Sequence, residues 1–261
     1  MTTITGKKVL LTGAAGGIGQ AIARRLAQAG AQIILTGRNR EVLGALAAEL
    51  RARTIVADIS NAEGIRKLLE ETGSVDILIA NAGLPAPSSG GQGSFEEISA
   101  VLDVNLAAPV LLTRGLMKGM KSQGGGHLVY ISSLAGRVAS PLSPVYSASK
   151  WGLRGYAQSL RLALAGSSIG VSCVFPGIIR DAGMFVSSGA KPPKGIGTNT
   201  PDEVALGTLR AIEENLPEIM VAPTMLKIWC RFSDIFPGLA AWIQTRAGAQ
   251  KVVAGFDEKK T

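Results

Sequence analysis

The chain has 261 residues, 46% of them hydrophobic, which suffices for one sizeable core and is ordinary for a single α/β domain. Its 27 basic and 19 acidic residues leave a formal charge of +8, but the basic residues are scattered in ones and twos; that tells against a nucleic-acid stripe and suits anionic cofactors or lipid headgroups. With one histidine, His127, and two cysteines without metal or redox spacing, Cys173 and Cys230, no metal site is expected, and the three read as a structural imidazole and the reduced thiols of a cytoplasmic protein.

The first residues, Met1 to Lys8, lack a signal peptide's order of basic region, apolar region and cleavage site, and no window is apolar enough throughout for a membrane span. Val9-Leu10-Leu11 reads as a buried strand running into Thr12-Gly13-Ala14-Ala15-Gly16-Gly17-Ile18-Gly19. Ile22, Leu26 and Ala29 then recur at helical spacing up to Gly30, and Ile33-Ile34-Leu35 is a second strand. In such a β-loop-α-β unit the glycines let the backbone approach a pyrophosphate, which the helix N-terminus faces with free N–H groups and a positive dipole end. At the end of the second strand stands Gly37, followed by Arg38. A carboxylate there would select NAD by accepting from the adenosine ribose; without it, and with a guanidinium able to pair with a 2′-phosphate, NADP(H) is favoured and NAD(H) stays open. Arg38 could also simply stack on adenine.

A helix over Glu41–Arg51 leads to a strand at Thr54–Ala57 and to Asp58, and Val75–Ile79 is a strand running into Asn81-Ala82-Gly83. Leu84–Ser94 is a Pro/Gly/Ser-rich loop. The spacing predicts one helix over Phe95–Met120; an Asn inside it, Asn105, is locally unfavourable and calls for a hydrogen-bonding task. A strand at Leu128–Ile131 ends at Ser132-Ser133, whose side chains should point to opposite faces. In the helix expected at Ser147–Ala165, Lys150 lies four residues after Tyr146, one turn along the same face. An ammonium near a phenol favours the phenolate, so a Tyr146 pKa below the reference of about 10 is expected, suited to proton exchange with an alcohol or carbonyl oxygen. Val171–Phe175 is the next strand, ending at Pro176-Gly177. Residues 184–200 read as a substrate-covering loop or a disordered connection. Thr200 caps a helix that opens with Pro201, and Glu218–Ala222 is the last strand.

In the tail, Ile228, Trp229, Phe232, Ile235 and Phe236 follow helical spacing, and after Pro237-Gly238 the apolar pattern continues through Leu239, Trp242 and Ile243. Such a stretch can pack on its own domain, join a neighbouring subunit, lie in a membrane interface or cover an apolar substrate; a peripheral membrane contact through 224–246 is therefore one expectation.

The Thr-Gly-x-x-x-Gly-x-Gly turn, together with Tyr146 and Lys150, resembles the short-chain dehydrogenase/reductase family from about Lys7 to about Pro223. The resemblance implies a single α/β Rossmann-type, doubly wound domain over 1–223, with a central, mainly parallel seven-stranded sheet and helices on both faces; the amphipathic extension over 224–261 lies outside it and is read from its own residues. It implies an oxidoreductase moving a hydride between nicotinamide and a carbonyl or secondary alcohol; the 184–200 loop and the tail suggest an apolar one. Tyr146 would be the general acid/base, Ser133, thirteen residues upstream, the substrate-orienting serine, and Lys150 would also bind the nicotinamide ribose. The carbonyl of Asn105 would hold a water linked to Lys150. By the same resemblance Gly13, Gly17, Ile18 and Gly19 contact the pyrophosphate, Asp58 accepts from the adenine amino group, and Asn81 and Gly83 steady the sheet beside the cofactor. Pro176 and Gly177 flank the nicotinamide, and the Ile179 backbone contacts its carboxamide. Asp181 stands where many members carry a threonine, so that side-chain contact is not carried over. A homodimer or homotetramer through the helices near 95–120 and 147–165 is implied as well. Two other readings stay open at this point: a non-catalytic dinucleotide sensor on the same fold, and a membrane-associated interaction protein whose tail is the active part.

Overall fold

The computed structural model describes residues 3–85, 93–139, 143–180 and 197–246. Seven strands, β1 (Lys8–Thr12), β2 (Gln32–Gly37), β3 (Arg53–Val56), β4 (Ile77–Ala80), β5 (Gly126–Ile131), β6 (Ile169–Pro176) and β7 (Glu218–Val221), form one sheet in the order β3-β2-β1-β4-β5-β6-β7. Every neighbouring pair is parallel. The crossovers are α1 (Gly17–Gln28), α2 (Arg40–Leu50), α3 (Ala62–Thr72), α4 (Phe95–Leu102), α5 (Ala108–Ser122), α6 (Pro144–Ala163) and α7 (Pro201–Glu213); α8 (Thr224–Ile235) and α9 (Pro237–Arg246) follow β7.

The strands are apolar on both faces because both are covered, and their side chains sort by the two-residue period. Val9, Leu11, Ile33, Leu35, Ile77 and Ile79 join one core with Ile22 and Leu26 of α1, Leu43 of α2 and Val204 and Ile212 of α7. Leu10, Ile34, Leu78, Leu128 and Tyr130 join the other with Ile65 and Leu68 of α3, Leu112 and Leu116 of α5 and Leu153 of α6. The α/β expectation and the seven-stranded sheet are therefore borne out, and the sheet is parallel throughout. His127 is structural: it is fully buried, its Nε2 lies 2.9 Å from Ser172 Oγ, and burial, with Arg161 nearby, pulls its pKa down to about 4. Ser172 Oγ in turn donates to the Leu216 carbonyl at 2.6 Å.

Three local readings change. α3 goes unread above, although Asn61 caps it at Gly64 N and Ile65 and Leu68 give its buried stripe. The single helix expected over Phe95–Met120 is interrupted by a π-helical segment, Asp103–Ala107, with Asn105 at its centre. By length and composition 95–122 could cross a membrane, yet Ala108, Leu112, Leu116 and Met120 belong to the core. The helix expected to start at Ser147 starts at Pro144, which places Tyr146 in its first turn. The expected cap of α7 is present as a full box: Thr200 Oγ1 accepts from Glu203 N, and Thr200 N donates to the Glu203 carboxylate.

Candidate active site

The chain leaves β1 toward β2 and β3, then crosses back to β4 on the other side of β1. Parallel strands diverge at this switch point, and ligands of doubly wound sheets bind beyond the strand ends there. A cleft of about 920 Å³ opens at that place. Its floor is a clasp between the tips of β1 and β4. Thr12 Oγ1 accepts from the N–H groups of both Asn81 and Ala82 at 3.0 Å, and the Asn81 amide donates to the carbonyls of Thr12 and Gly13 at 3.0 and 3.1 Å.

The backbone is drawn so close here that side chains have no room. Gly13 sits at φ +64°, where a Cβ would lie 2.7 Å from Ala82 Cα, and a Cβ on Gly19 would lie 2.2 Å from the Gly13 oxygen. Gly16, the N-cap of α1, gives no side-chain cap, so the first-turn N–H groups behind Gly17, Ile18 and Gly19 meet the cleft with the positive end of the helix dipole. Arg38 is exposed at the rim beside Asp58. The Asp58 carboxyl is held below its usual range, first by the Ser60 N–H and also by Arg38. A Cβ on Gly37 would meet only Leu43 methyls, at 3.8 Å, so packing does not impose the missing carboxylate.

Across the switch point, β5 delivers the two serines. Ser132 Oγ donates to the Lys150 carbonyl at 3.1 Å, whereas Ser133 hydrogen-bonds with the Tyr146 phenol and caps the turn at Ala135 N. Ser133 thus stands beside the Tyr146 phenol, and Ser132 is turned to the backbone of α6. Lys150 is buried, and its Nζ donates to the Ile131 carbonyl at 3.0 Å and lies 5.7 Å from the centre of the Tyr146 ring. Burial lowers its pKa to about 8. The expectation that Lys150 lowers the Tyr146 pKa is corrected: burial raises that pKa, the Ser133 hydrogen bond opposes the rise only in part, and the ammonium is turned to the β5 carbonyl. Tyr146 is accordingly a neutral phenol at pH 7, in proton-donating form.

Asn105 does not line the cleft. From the π segment its side chain accepts from Leu84 N at 2.7 Å and donates to Leu84 O and Ser149 Oγ at 2.9 and 3.1 Å; Ser149 donates on to the Tyr146 carbonyl at 2.7 Å. The widened turn lets one amide tie the start of the 84–94 stretch to the first turn of α6. Every other site residue predicted from sequence, namely Gly13, Gly17, Ile18, Gly19, Arg38, Asp58, Asn81, Gly83, Ser133, Tyr146, Lys150, Pro176, Gly177 and Ile179, borders the one cleft. Ile179 pairs with Asn199 in an isolated parallel bridge. Asp181 and residues 184–196 of the covering-loop reading lie outside the described residues.

The far wall comes from the tail, for which a substrate cover is one of the readings above. Leu226, Trp229 and Cys230 of α8 border the same cleft as Leu134 and Val138. A half-buried ionic cluster holds this helix in place. Arg137, in the turn after Ser133, pairs with both Glu218 and Asp234, and Arg154 of α6 binds the same two carboxylates at 2.8 and 3.0 Å. Burial pushes the Glu218 pKa up, but Arg154 and Arg137 outweigh it and hold the group ionised below its ordinary value. The apolar stripe read from the tail is mostly the outer side: Cys230 and Ser233 are buried, whereas Ile228, Ile235 and Phe236 are exposed.

The residues present fit a dinucleotide. They supply a glycine floor that a Cβ would fill, an uncapped helix start, a cation at one end and a buried lysine at the other. A family model described as short chain dehydrogenase matches residues 7–192. The chain is 36% identical over 230 residues to the ketoacyl reductase HetN of Nostoc sp. (strain PCC 7120), covering 85% of this chain and 80% of that one. A short-chain dehydrogenase from Sphingobium yanoikuyae solved in complex with NADPH matches with a TM-score of 0.79 at 26% identity, over 90% of this chain and 95% of that one. A short chain dehydrogenase/reductase from Burkholderia phymatum in complex with NAD matches at 0.78 and 26%, over 92% and 96%. The chain belongs to the short-chain dehydrogenase/reductase family of oxidoreductases.

Proposed function

We propose that the protein is an NADP(H)-dependent reductase that converts an apolar carbonyl compound to a secondary alcohol. The observation that carries this reading is the meeting of Ser133, Tyr146 and Lys150 where the cleft becomes apolar, between Leu134 and Val138 on one side and Leu226 and Trp229 on the other. A bound nicotinamide dinucleotide supplies the hydride. Gly13, Gly17, Ile18 and Gly19 would hold its pyrophosphate, Arg38 and Asp58 its adenosine end, and Lys150 the ribose near Tyr146. Pro176, Gly177 and Ile179 would flank the nicotinamide. Tyr146, a neutral phenol, donates the proton to the carbonyl oxygen, and Ser133 orients that oxygen and stabilises its developing charge. Lys150, cationic up to about pH 8, would offer its ammonium to the ribose hydroxyls. Asn105 positions Tyr146 through Ser149, and its carbonyl would serve the proton path to solvent.

Gly37 and the exposed Arg38 favour the 2′-phosphate form, since a guanidinium attracts it and no carboxylate repels it. A 3-oxoacyl thioester is the first substrate to try, because the Nostoc relative is a ketoacyl reductase. Assembly through α4–α5 and α6 belongs to the same proposal, supported by exposed Phe95, Leu111, Trp151 and Leu162 on those helices. The test is consumption of NADPH and of NADH against a panel of 3-oxoacyl, steroid, sugar and small ketones. Turnover of an apolar ketone with NADPH preferred is expected; binding of dinucleotide with no turnover of any carbonyl would favour a sensor instead.

A further inference from the structure

The helix whose inner side walls the cleft has an outer side that no described residue covers. Met225, Ile228 and Ile235 fall at positions i, i+3 and i+10 of α8 and are 75, 56 and 68% exposed. Phe236, Leu239 and Trp242 extend the exposed apolar surface through the turn into α9. Isolated exposed apolar residues are ordinary, but six within eighteen residues on two consecutive helices are an interaction surface. The charges around it share one sign. Lys227 and Arg231 stand one turn apart on the side of α8 next to the apolar stripe, and the Arg246 guanidinium lies 4.5 Å over the Trp242 ring. The only acidic residue in 224–246 is Asp234, and its carboxylate is turned inward onto Arg137 and Arg154. The outer side is therefore apolar, tryptophan-bearing and flanked by cations alone.

We infer that α8 and α9 dock on an anionic lipid surface, lying in its plane with Ile228, Ile235 and Trp242 in the headgroup–acyl boundary and Lys227, Arg231 and Arg246 against the phosphates. Amphipathic helices with aromatic and aliphatic side chains on one face and basic ones beside it bind in this way. A second copy of the chain is the weaker occupant, because a two-fold contact through this face sets its cations against one another with no carboxylate between them. The inner side of α8 stays on the cleft throughout, so docking needs no unfolding of the Arg137–Glu218–Arg154–Asp234 cluster. The inference does not depend on the reaction proposed above.

The experiment is flotation of the full chain with vesicles of phosphatidylcholine alone and of phosphatidylcholine with phosphatidylglycerol, with NADPH binding measured on every variant as the check of folding. Each basic side chain near an anionic surface contributes about a fivefold gain in partitioning, so roughly a hundredfold preference for the anionic vesicles is expected, falling in high salt. Lys227→Gln with Arg231→Gln should remove about twenty-five-fold of it, and Ile228→Ser with Trp242→Ser should abolish flotation, with NADPH binding unchanged in both. Failure of the wild-type chain to float, or equal binding to both vesicle types, would overturn the inference. So would a wild-type oligomer that leaves the vesicles unbound and dissociates on the Ile228→Ser, Trp242→Ser change, since the face would then join copies of the chain.

Discussion

The floor of the cleft and its C-terminal wall are built by different means. The floor is close-packed backbone fastened by two side chains: Gly13 and Gly19 sit where a Cβ has no room, and the Thr12–Asn81 clasp ties the tips of β1 and β4 together. The wall is a helix from the end of the chain, held by two arginines and two carboxylates contributed by the Ser133 turn, α6, β7 and α8. A floor of this kind tolerates no substitution but needs no partner, whereas the wall can be released by one broken ion pair. The two regions should fail differently, the floor in cofactor binding and chemistry, the wall in substrate binding and stability.

The sharpest separation is expected at Tyr146. Removing a general acid in Tyr146→Phe should lower kcat by 10²–10⁴-fold, while NADPH affinity, set by the floor, stays within about twofold, within the scatter of near-neutral substitutions; stopped-flow turnover and fluorescence titration read the two. Arg137→Ala should act on the wall. It leaves Glu218 and Asp234 one partner short in a half-buried cluster, a loss of about 1–3 kcal/mol of stability, between an exposed pair and a fully buried one. KM for the carbonyl substrate should rise and KM for NADPH should not. The wild-type cluster should yield only to strong acid: Glu218 titrates below its ordinary value, so its contribution is complete above the unfolded pKa of about 4.5 and is lost as pH falls below it.

His127 tests a third place, under the sheet. Its folded pKa, about 4, lies below the 6.5 of the free side chain. Between those values the unfolded chain binds the proton and the folded one does not, so stability should fall by roughly 3 kcal/mol as pH drops from 6.5 to 4. The slope in thermal or urea melts should flatten in His127→Gln. Smallest is the change at the adenosine end: Arg38→Ala should raise KM for NADPH by about ten- to a hundredfold, the worth of one charge-assisted hydrogen bond, without touching KM for NADH. Gly37→Asp has room for its side chain and should move preference the same way.

The same contrast explains what was legible in the sequence. Gly13, Gly17 and Gly19 follow a strand and open a helix, and Tyr146 and Lys150 share one helical face, so short spacing carries their placement. The alternation of Val9, Leu10 and Leu11 fits strands covered on both sides, and each falls in the core that its parity demands. The wall is not local in this sense. Arg137, Arg154, Glu218 and Asp234 are brought together only by the sheet order, and no spacing announces the cluster. The tail's apolar periodicity marks an amphipathic helix correctly, but its conspicuous stripe faces mostly outward, because the buried positions are the small residues Cys230 and Ser233. The π segment escaped for a related reason. Asn105 signals a hydrogen-bonding task, yet its partners Leu84 and Ser149 lie 21 and 44 residues away. The Tyr146 pKa was misjudged because adjacency on a helix fixes the face of Lys150 but not the Ile131 carbonyl that claims its ammonium.

The most direct measurement follows deuterium from the reactive face of C4-deuterated NADPH. With an apolar ketone, the wild-type chain should place the label on the carbinol carbon of the product, and Tyr146→Phe should bind the same cofactor and transfer almost none. Equal transfer by the two proteins, or tight binding by the wild type with no label in any product, would contradict the assignment of Tyr146 as the proton donor of a carbonyl reductase.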